Sequence, residues 1–369
     1  MTATRLRTCG AALAVAWRHD VDDWPRAAAW SPDGRSLAVL GAAGRLWLLD
    51  ARTGDERTHV DAHGGGVTLA WSATRGVLAT GGEDGLVRLW STTLAPLATL
   101  DPAAVVPPPA HDDARRADAA GHAPRSRARP WIEALTWSRD GRRLAVAAGR
   151  HVVVWDEHDA PLFVSPAQPS TIAALCWHPK LAQVTAAGYN GARSYVIEGT
   201  ASAGRTEWKG SFLSVAWSPD GRNLAAGMQE GAVHIWQPGR PDLQMSGYPS
   251  KVRAIAWDVD GKRLATGGGD VVSVWKFVGD GPAGTRPQLL EGHALGVSAL
   301  AFRHSGLVLA SGGEEGITCL FDLTRATTEP IASALGIGEV STVAWDPAGA
   351  HVASTHASGL VVSYVRPLR

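Results

Sequence analysis

SVAWSPDGRNLAAG, residues 214–227, holds a tryptophan, a Pro-Asp-Gly turn and a second apolar run. Close variants recur: AAAWSPDGRSLAVL at 27–40, LTWSRDGRRLAVAAG at 135–149 and IAWDVDGKRLATGGG at 255–269. Self-similarity of this kind decides a fold before any single residue can, because each repeat is a unit that cannot bury its own faces alone.

Aligned on the first tryptophan of the stretch, the units are anchored at Trp30, Trp71, Trp137, Trp177, Trp217, Trp257, Phe302 and Trp345. The spacings are 41, 66, 40, 40, 40, 45 and 43, and the long one contains an insertion. One residue before each anchor stand Ala29, Ala70, Thr136, Cys176, Ala216, Ala256, Ala301 and Ala344, all small. The residues three before each anchor are equally small, while those two before are mostly large and apolar, such as Leu69, Val215 and Ile255. Alternate residues of a strand point to opposite faces. Each segment therefore reads as a strand with one thin and one bulky face, both buried. A strand near the axis of a ring of packed sheets needs this shape.

After the anchor come SPDGR at 31–35 and 218–222, SRDGR at 138–142 and DVDGK at 258–262. Asp-Gly between apolar runs is a hairpin signal. A second strand follows, then a third ending in an aromatic, as in LVRLW at 86–90 and AVHIW at 232–236, then a weaker fourth such as PQLLEGH at 287–293. Four antiparallel strands per 40-odd residues make one propeller blade. The expected fold is all-β: a single propeller domain over 1–369, of eight four-stranded blades, with seven as the alternative count. The last unit ends after its third strand, so AVAWRH at 14–19 is expected to supply the missing fourth and close the ring, which removes exposed faces.

The chain resembles the WD-repeat family in the Gly-His pair Gly292–His293, the pair Trp155–Asp156, and the frame of unit two, AHGGGVTLAW…LATGGEDGLVRLW. The resemblance covers nearly the whole chain and implies a β-propeller; the fold hosts many functions. It also implies a structural hydrogen-bonded tetrad, which in unit two maps to His63, Thr80, Asp84 and Trp90. Elsewhere that set is eroded. Unit six keeps Thr266, Asp270 and Trp275 with Tyr248 near the histidine position. Unit seven keeps His293 and Ser311 but has Glu315 and Phe321. Units one and four, with Ala43 and Leu49 and with Asn190 and Val196, match poorly.

Composition narrows the partners. The chain has 35 basic and 35 acidic residues and no formal net charge, so neither a nucleic-acid backbone nor an anionic membrane is expected as partner. Three cysteines, Cys9, Cys176 and Cys319, form no disulfide framework and suggest a reducing compartment. No apolar run is long enough to span a bilayer. The first twenty residues lack a small-residue cleavage site and read as a strand rather than a signal peptide. Abundant Ala, Gly, Arg and Trp with little Lys give a bacterial cast, and a cytoplasmic monomer is expected.

Candidate chemistry is sparse. Residues 101–130, DPAAVVPPPAHDDARRADAAGHAPRSRARP, read as a disordered surface insertion between blades two and three. Its sharper alternative is a metal loop built on His111, Asp112, Asp113 and His122. Asp20, Asp22 and Asp23 in HDVDDW lack the glycine and terminal Glu of a calcium loop. Cys176 sits at a small-residue strand position and reads as a buried thiol. No Ser-His-Asp set, phosphate loop or H-E-x-x-H motif appears. Glu133 and Glu339, acids on distant blades, are the only channel candidates for catalysis. The expected function is thus a non-catalytic scaffold without cofactors that presents a rigid face to a protein partner. The alternative is a metal- or ligand-handling propeller. Six residues before the anchors stand Trp24, Trp131, Lys251 and Glu339, in loops that should share one face, with Trp208, Phe212 and Tyr248 placed in the same class of loop. Aromatics beside a few charges are the composition of binding hot spots.

Overall fold

The computed structural model describes residues 10–107, 129–198, 204–279 and 281–366. Each anchor closes an inner strand: Pro25–Trp30, Gly66–Trp71, Ile132–Trp137, Ile172–Trp177, Arg205–Trp217, Ala254–Trp257, Val297–Phe302 and Val340–Trp345. Each inner strand packs on the next, and the last packs on the first, so the set closes into a ring. The thin faces permit this approach. The structure is an all-β propeller.

The strands group into seven sheets, the lower of the two expected counts. Eight separate four-stranded blades do not form, because units four and five share one six-stranded sheet. The cause is two long strands. Gln183–Val196 turns sharply at Asn190 and Gly191, both at positive φ, and Arg205–Trp217 runs on from the outer edge of unit four into the inner strand of unit five. The sheet of unit seven has five strands, because Ala11–Ala12 adds in parallel beside Ala332–Leu335. The N-terminal strand Ala14–Asp20 pairs antiparallel with Leu360–Val365 and supplies the fourth strand of the last unit, so the two ends of the chain complete one sheet. Between these two strands, Leu13 is buried among Ala332, Val340 and Tyr364, where the sheets of units seven and eight face each other.

The indoles of the anchors explain why seven of the eight are tryptophan. Trp30 Nε1–H donates to the Ala344 carbonyl at 3.0 Å, Trp71 to Ala29 at 3.2 Å, Trp137 to Ala70 at 3.0 Å and Trp177 to Thr136 at 3.0 Å. Trp257 donates to Ala216 at 3.2 Å and Trp345 to Ala301 at 3.1 Å. In every case the acceptor is the residue just before the preceding unit's anchor. Trp217 departs from the pattern and donates to Thr185 Oγ1 at 3.0 Å; Phe302 has no donor. Apart from Trp217, each indole thus fills apolar space between two sheets and satisfies a carbonyl on the neighbouring inner strand.

The turns after the anchors are tied by their own side chains. In unit five Ser218 Oγ–H donates to Asp220 Oδ1 at 2.6 Å, and Asp220 accepts the Arg222 N–H at 3.0 Å. Gly221 stands at φ +75, which only glycine adopts without strain.

Candidate functional site

The parity of the inner strands fixes which residues face the channel. Five positions before the anchors stand Pro25, Gly66, Ile132, Ile172, Phe212, Val252, Val297 and Val340, and all are buried. Residues four and six before therefore point the other way, toward the axis and the rim. They line a cavity of about 400 Å³ whose walls come from units one, two, three, six, seven and eight. Trp24, Lys251 and Glu339 meet there, together with Arg26, Glu133 and Arg253.

Trp24 is held but open. Its Nε1–H donates to Ser341 Oγ of the neighbouring unit at 3.1 Å, the Arg26 guanidinium lies 5.2 Å over its ring, and it remains 43% exposed. The loop that carries it is tied by Asp23, whose Oδ1 accepts the Trp24 N–H and whose Oδ2 accepts the Ala43 N–H, both at 2.7 Å. Asp22 meets Arg45 at 3.5 Å. Two of the HDVDDW acids are therefore spent on tying the rim rather than on a cation. Trp131, on the rim of unit three, is 50% exposed and lies outside this cavity.

Below the rim, units two, five, six, seven and eight each have a slot between the inner loop and the second strand. In unit two His63 fills it: Nε2 lies 2.8 Å from Thr80 Oγ1, Nδ1 lies 3.0 Å from Asp84 Oδ1, and Trp90 Nε1–H donates to Thr80 Oγ1 at 2.9 Å. Burial holds the His63 imidazole below the usual histidine range against the pull of Asp84. Burial pushes the Asp84 carboxyl up, but Arg88, the Leu86 N–H and His63 together hold it below the ordinary value. In unit seven His293 lies 2.6 Å from both Ser311 Oγ and Glu315 Oε1, the longer acid serving in place of aspartate. In unit eight histidine and glycine have exchanged places. Gly336 stands at the loop position, and His356 reaches the slot from the second strand, with Nε2 2.9 Å from Ser354 Oγ. A Cβ on Gly336 would lie 2.1 Å from the His356 ring. In units two and seven these polar groups are consumed by one another.

Comparison with known families finds the WD40 family (WD domain, G-beta repeat) at residues 54–91, 205–237, 239–276 and 284–322. The chain carries WD40 repeats over these four stretches. Among curated proteins, the small ribosomal subunit protein RACK1 of Candida albicans is 25% identical over 118 residues, 29% of this chain and 37% of that one. Cell division cycle 20.1, cofactor of APC complex, of Arabidopsis thaliana is 29% identical over 165 residues, 42% of this chain and 34% of that one. The matches therefore span little more than a third of the length of either relative. Among solved structures, the computationally designed Ika8 protein has a TM-score of 0.75 at 19% identity, covering 96% of this chain and all of that one. The C-terminal WD40 domain of Sif2 has a TM-score of 0.75 at 16% identity, covering 97% of this chain and 99% of that one. These likenesses concern the fold alone.

Within the WD-repeat frame, three expected face residues are corrected. Phe212 is 1% exposed, because it occupies the inward column five before the anchor. Tyr248 stands nine before its anchor, as His293 does, and fills the slot of unit six: its hydroxyl lies 2.7 Å from Thr266 Oγ1 and accepts the Trp275 Nε1–H at 2.8 Å. Asp270, expected beside this set, is exposed. Trp208, also nine before its anchor, is half-buried, stacked on His234 with ring centroids 4.0 Å apart. Phe212 and Trp236 complete that aromatic cluster at 5.3 Å. Arg26, Arg253 and Glu314 were not singled out from the sequence, although Arg26 and Arg253 share the outward parity of Trp24.

The metal alternative rests on His111, Asp112, Asp113 and His122, all outside the described residues. Among the described residues no group of three or more His, Cys, Asp or Glu is placed to hold a metal. At the insertion's base, Asp101 caps the short helix Pro102–Val105 and pairs with Arg129 at 2.7 Å. Burial pushes the Cys176 thiol up to about 12, which suits a structural thiol and not a nucleophile.

Proposed function

We propose that the protein is a non-catalytic scaffold whose channel mouth receives a protein partner. The observation that carries this reading is Trp24: a large ring, fixed by a hydrogen bond and nearly half exposed, at the lip of a cavity flanked by Lys251 and Glu339. A rigid aromatic anchor costs little entropy to bind and buries a large area. Trp131 extends the same rim. The two curated relatives are named as a ribosomal subunit protein and as a cofactor of a complex, which accords with a part in assemblies. We further propose a cytoplasmic setting and a monomeric state, since the propeller's chain ends already complete its last sheet.

The test is quantitative capture of the partner isolated with the wild-type protein. Trp24→Ala and Trp131→Ala should each weaken capture by about 2 kcal/mol, roughly thirtyfold, with little change in melting temperature. Undiminished capture by both variants would place the binding surface elsewhere.

A further inference from the structure

We propose that the channel mouth is built for an extended peptide that carries an acidic side chain inward and leaves a basic side chain at the rim. This rests on the scaffold reading and names the chemistry of its partner. The argument begins with two levels of charge. Four positions before the anchors, the ring of eight residues holds Arg26 and Arg253 against one acid, Glu133, and its other members are uncharged. At the rim, Lys251 faces two acids: Glu339, six before its anchor, and Glu314, whose carboxyl leans over Gly296. The deeper level is thus net positive and the rim net negative. Among the described residues none of these six charged groups has an ion-pair partner within 4.0 Å. Charges of both signs without ion-pair partners, ordered in two levels, are complementary to a ligand with the reverse order.

The spacing selects a peptide. The levels lie two residues apart in sequence, a rise of up to about 6.6 Å where the chain is extended. Same-side residues of an extended peptide have that spacing, so an acidic and a basic residue separated by one position would meet both levels. The walls offer backbone pairing as well. Each inner strand outside the shared sheet is terminal in its sheet, so its second edge faces the channel and is open to an added strand. A cavity of about 400 Å³ takes a few side chains of such a segment and excludes a folded domain.

The probes are three capped heptapeptides: Gly-Lys-Gly-Asp-Gly-Lys-Gly, its Asp-to-Asn form and its Lys-to-Gln form. Binding is followed by NMR through the indole N–H of Trp24 and the amide of Gly296. The Asp peptide should bind at least fivefold tighter than the Asn form, and the gap should close in Arg253→Gln and in Arg26→Gln. The advantage of Lys over Gln should close in Glu339→Gln, and both gaps should shrink at high salt. Equal affinity of the Asp and Asn peptides, a gap that survives both arginine variants, or no binding of any probe at millimolar concentration would overturn the proposal. If capture of the native partner still depends on Trp24 in that case, the scaffold reading stands and only the charge assignment falls.

Discussion

Trp24 stands in the loop that enters the inner strand of unit one and Trp208 in the long strand that runs on into unit five, yet one is open and the other packed. Trp24 lies six residues before its anchor, where strand parity turns a side chain toward the channel. Trp208 lies nine before its anchor, in the column that holds Tyr248 and His293, and so fills the slot of unit five. Unit two fills that slot with a hydrogen-bonded imidazole, whereas unit five uses stacked rings. Ala226 stands in the register of Thr80, so Trp236 Nε1 finds no protein acceptor there. His234 keeps one contact, Nε2 to Asp242 Oδ2 at 3.2 Å. An aromatic near the rim therefore acquires a meaning only once its distance from the anchor is known.

Removing the packed ring should cost most. Trp208→Ala should lose about 3 kcal/mol, read as a lowered melting temperature, because it deletes a ring stacked on the buried His234 and opens a cavity. Folded Trp208→Ala should capture partner normally. A small melting loss together with lost capture would move Trp208 to the binding face.

Next in size is Gly336→Ala. Its Cβ would collide with His356, and overpacking of this kind costs about 1–3 kcal/mol. Gly64, exposed and with nothing within 4 Å of where a Cβ would stand, is the control and should tolerate alanine. Similar losses at both sites would contradict the exchange of histidine and glycine between units two and eight.

Asp84→Ala should cost about 1–2 kcal/mol, since His63 and the Leu86 N–H lose an acceptor. Asp220→Ala, at a turn nearer solvent, should cost less than about 1 kcal/mol. A pH effect comes last. His63, His234 and His356 are all held below the usual histidine range by burial. Below about pH 6.5 the unfolded chain takes up protons that the folded one refuses, so stability falls as pH drops from there toward the folded values. Each histidine contributes at most about 1.4 kcal/mol per pH unit. Denaturation midpoints at pH 7 and pH 5.5 read the slope, and His356→Gln should flatten it; an unchanged slope would mean that His356 is not a buried neutral group.

Much of this was legible beforehand. The anchors, the small residues beside them and the turn sequence sufficed for a propeller and for the closing strand 14–19, because they impose the same constraint in every unit. The sheet count was not legible, since whether two units fuse depends on how Asn190–Gly191 turns and on how far one strand continues. Phe212 was misplaced for want of counting parity along the strand, a signal that the column Ile132, Ile172, Val252 already carried. Tyr248 and Trp208 were misread as surface aromatics, although His293 at the same distance from its anchor marked that position as a slot. The role of the anchor indoles was invisible, because all but one of their acceptors are carbonyls of the preceding unit, 41 or more residues away.

If a protein partner sits at the channel mouth, Trp24 should lie against it. Site-specific photo-crosslinking reads this contact without relying on affinity. A photoreactive phenylalanine analogue is placed at position 24 and, as control, at position 289, where Leu289 lies exposed on an outer strand. A discrete crosslinked adduct with another protein is expected from position 24 and none from position 289. Adducts from 289 alone, or equal adducts from both, would contradict a partner seated at the channel mouth.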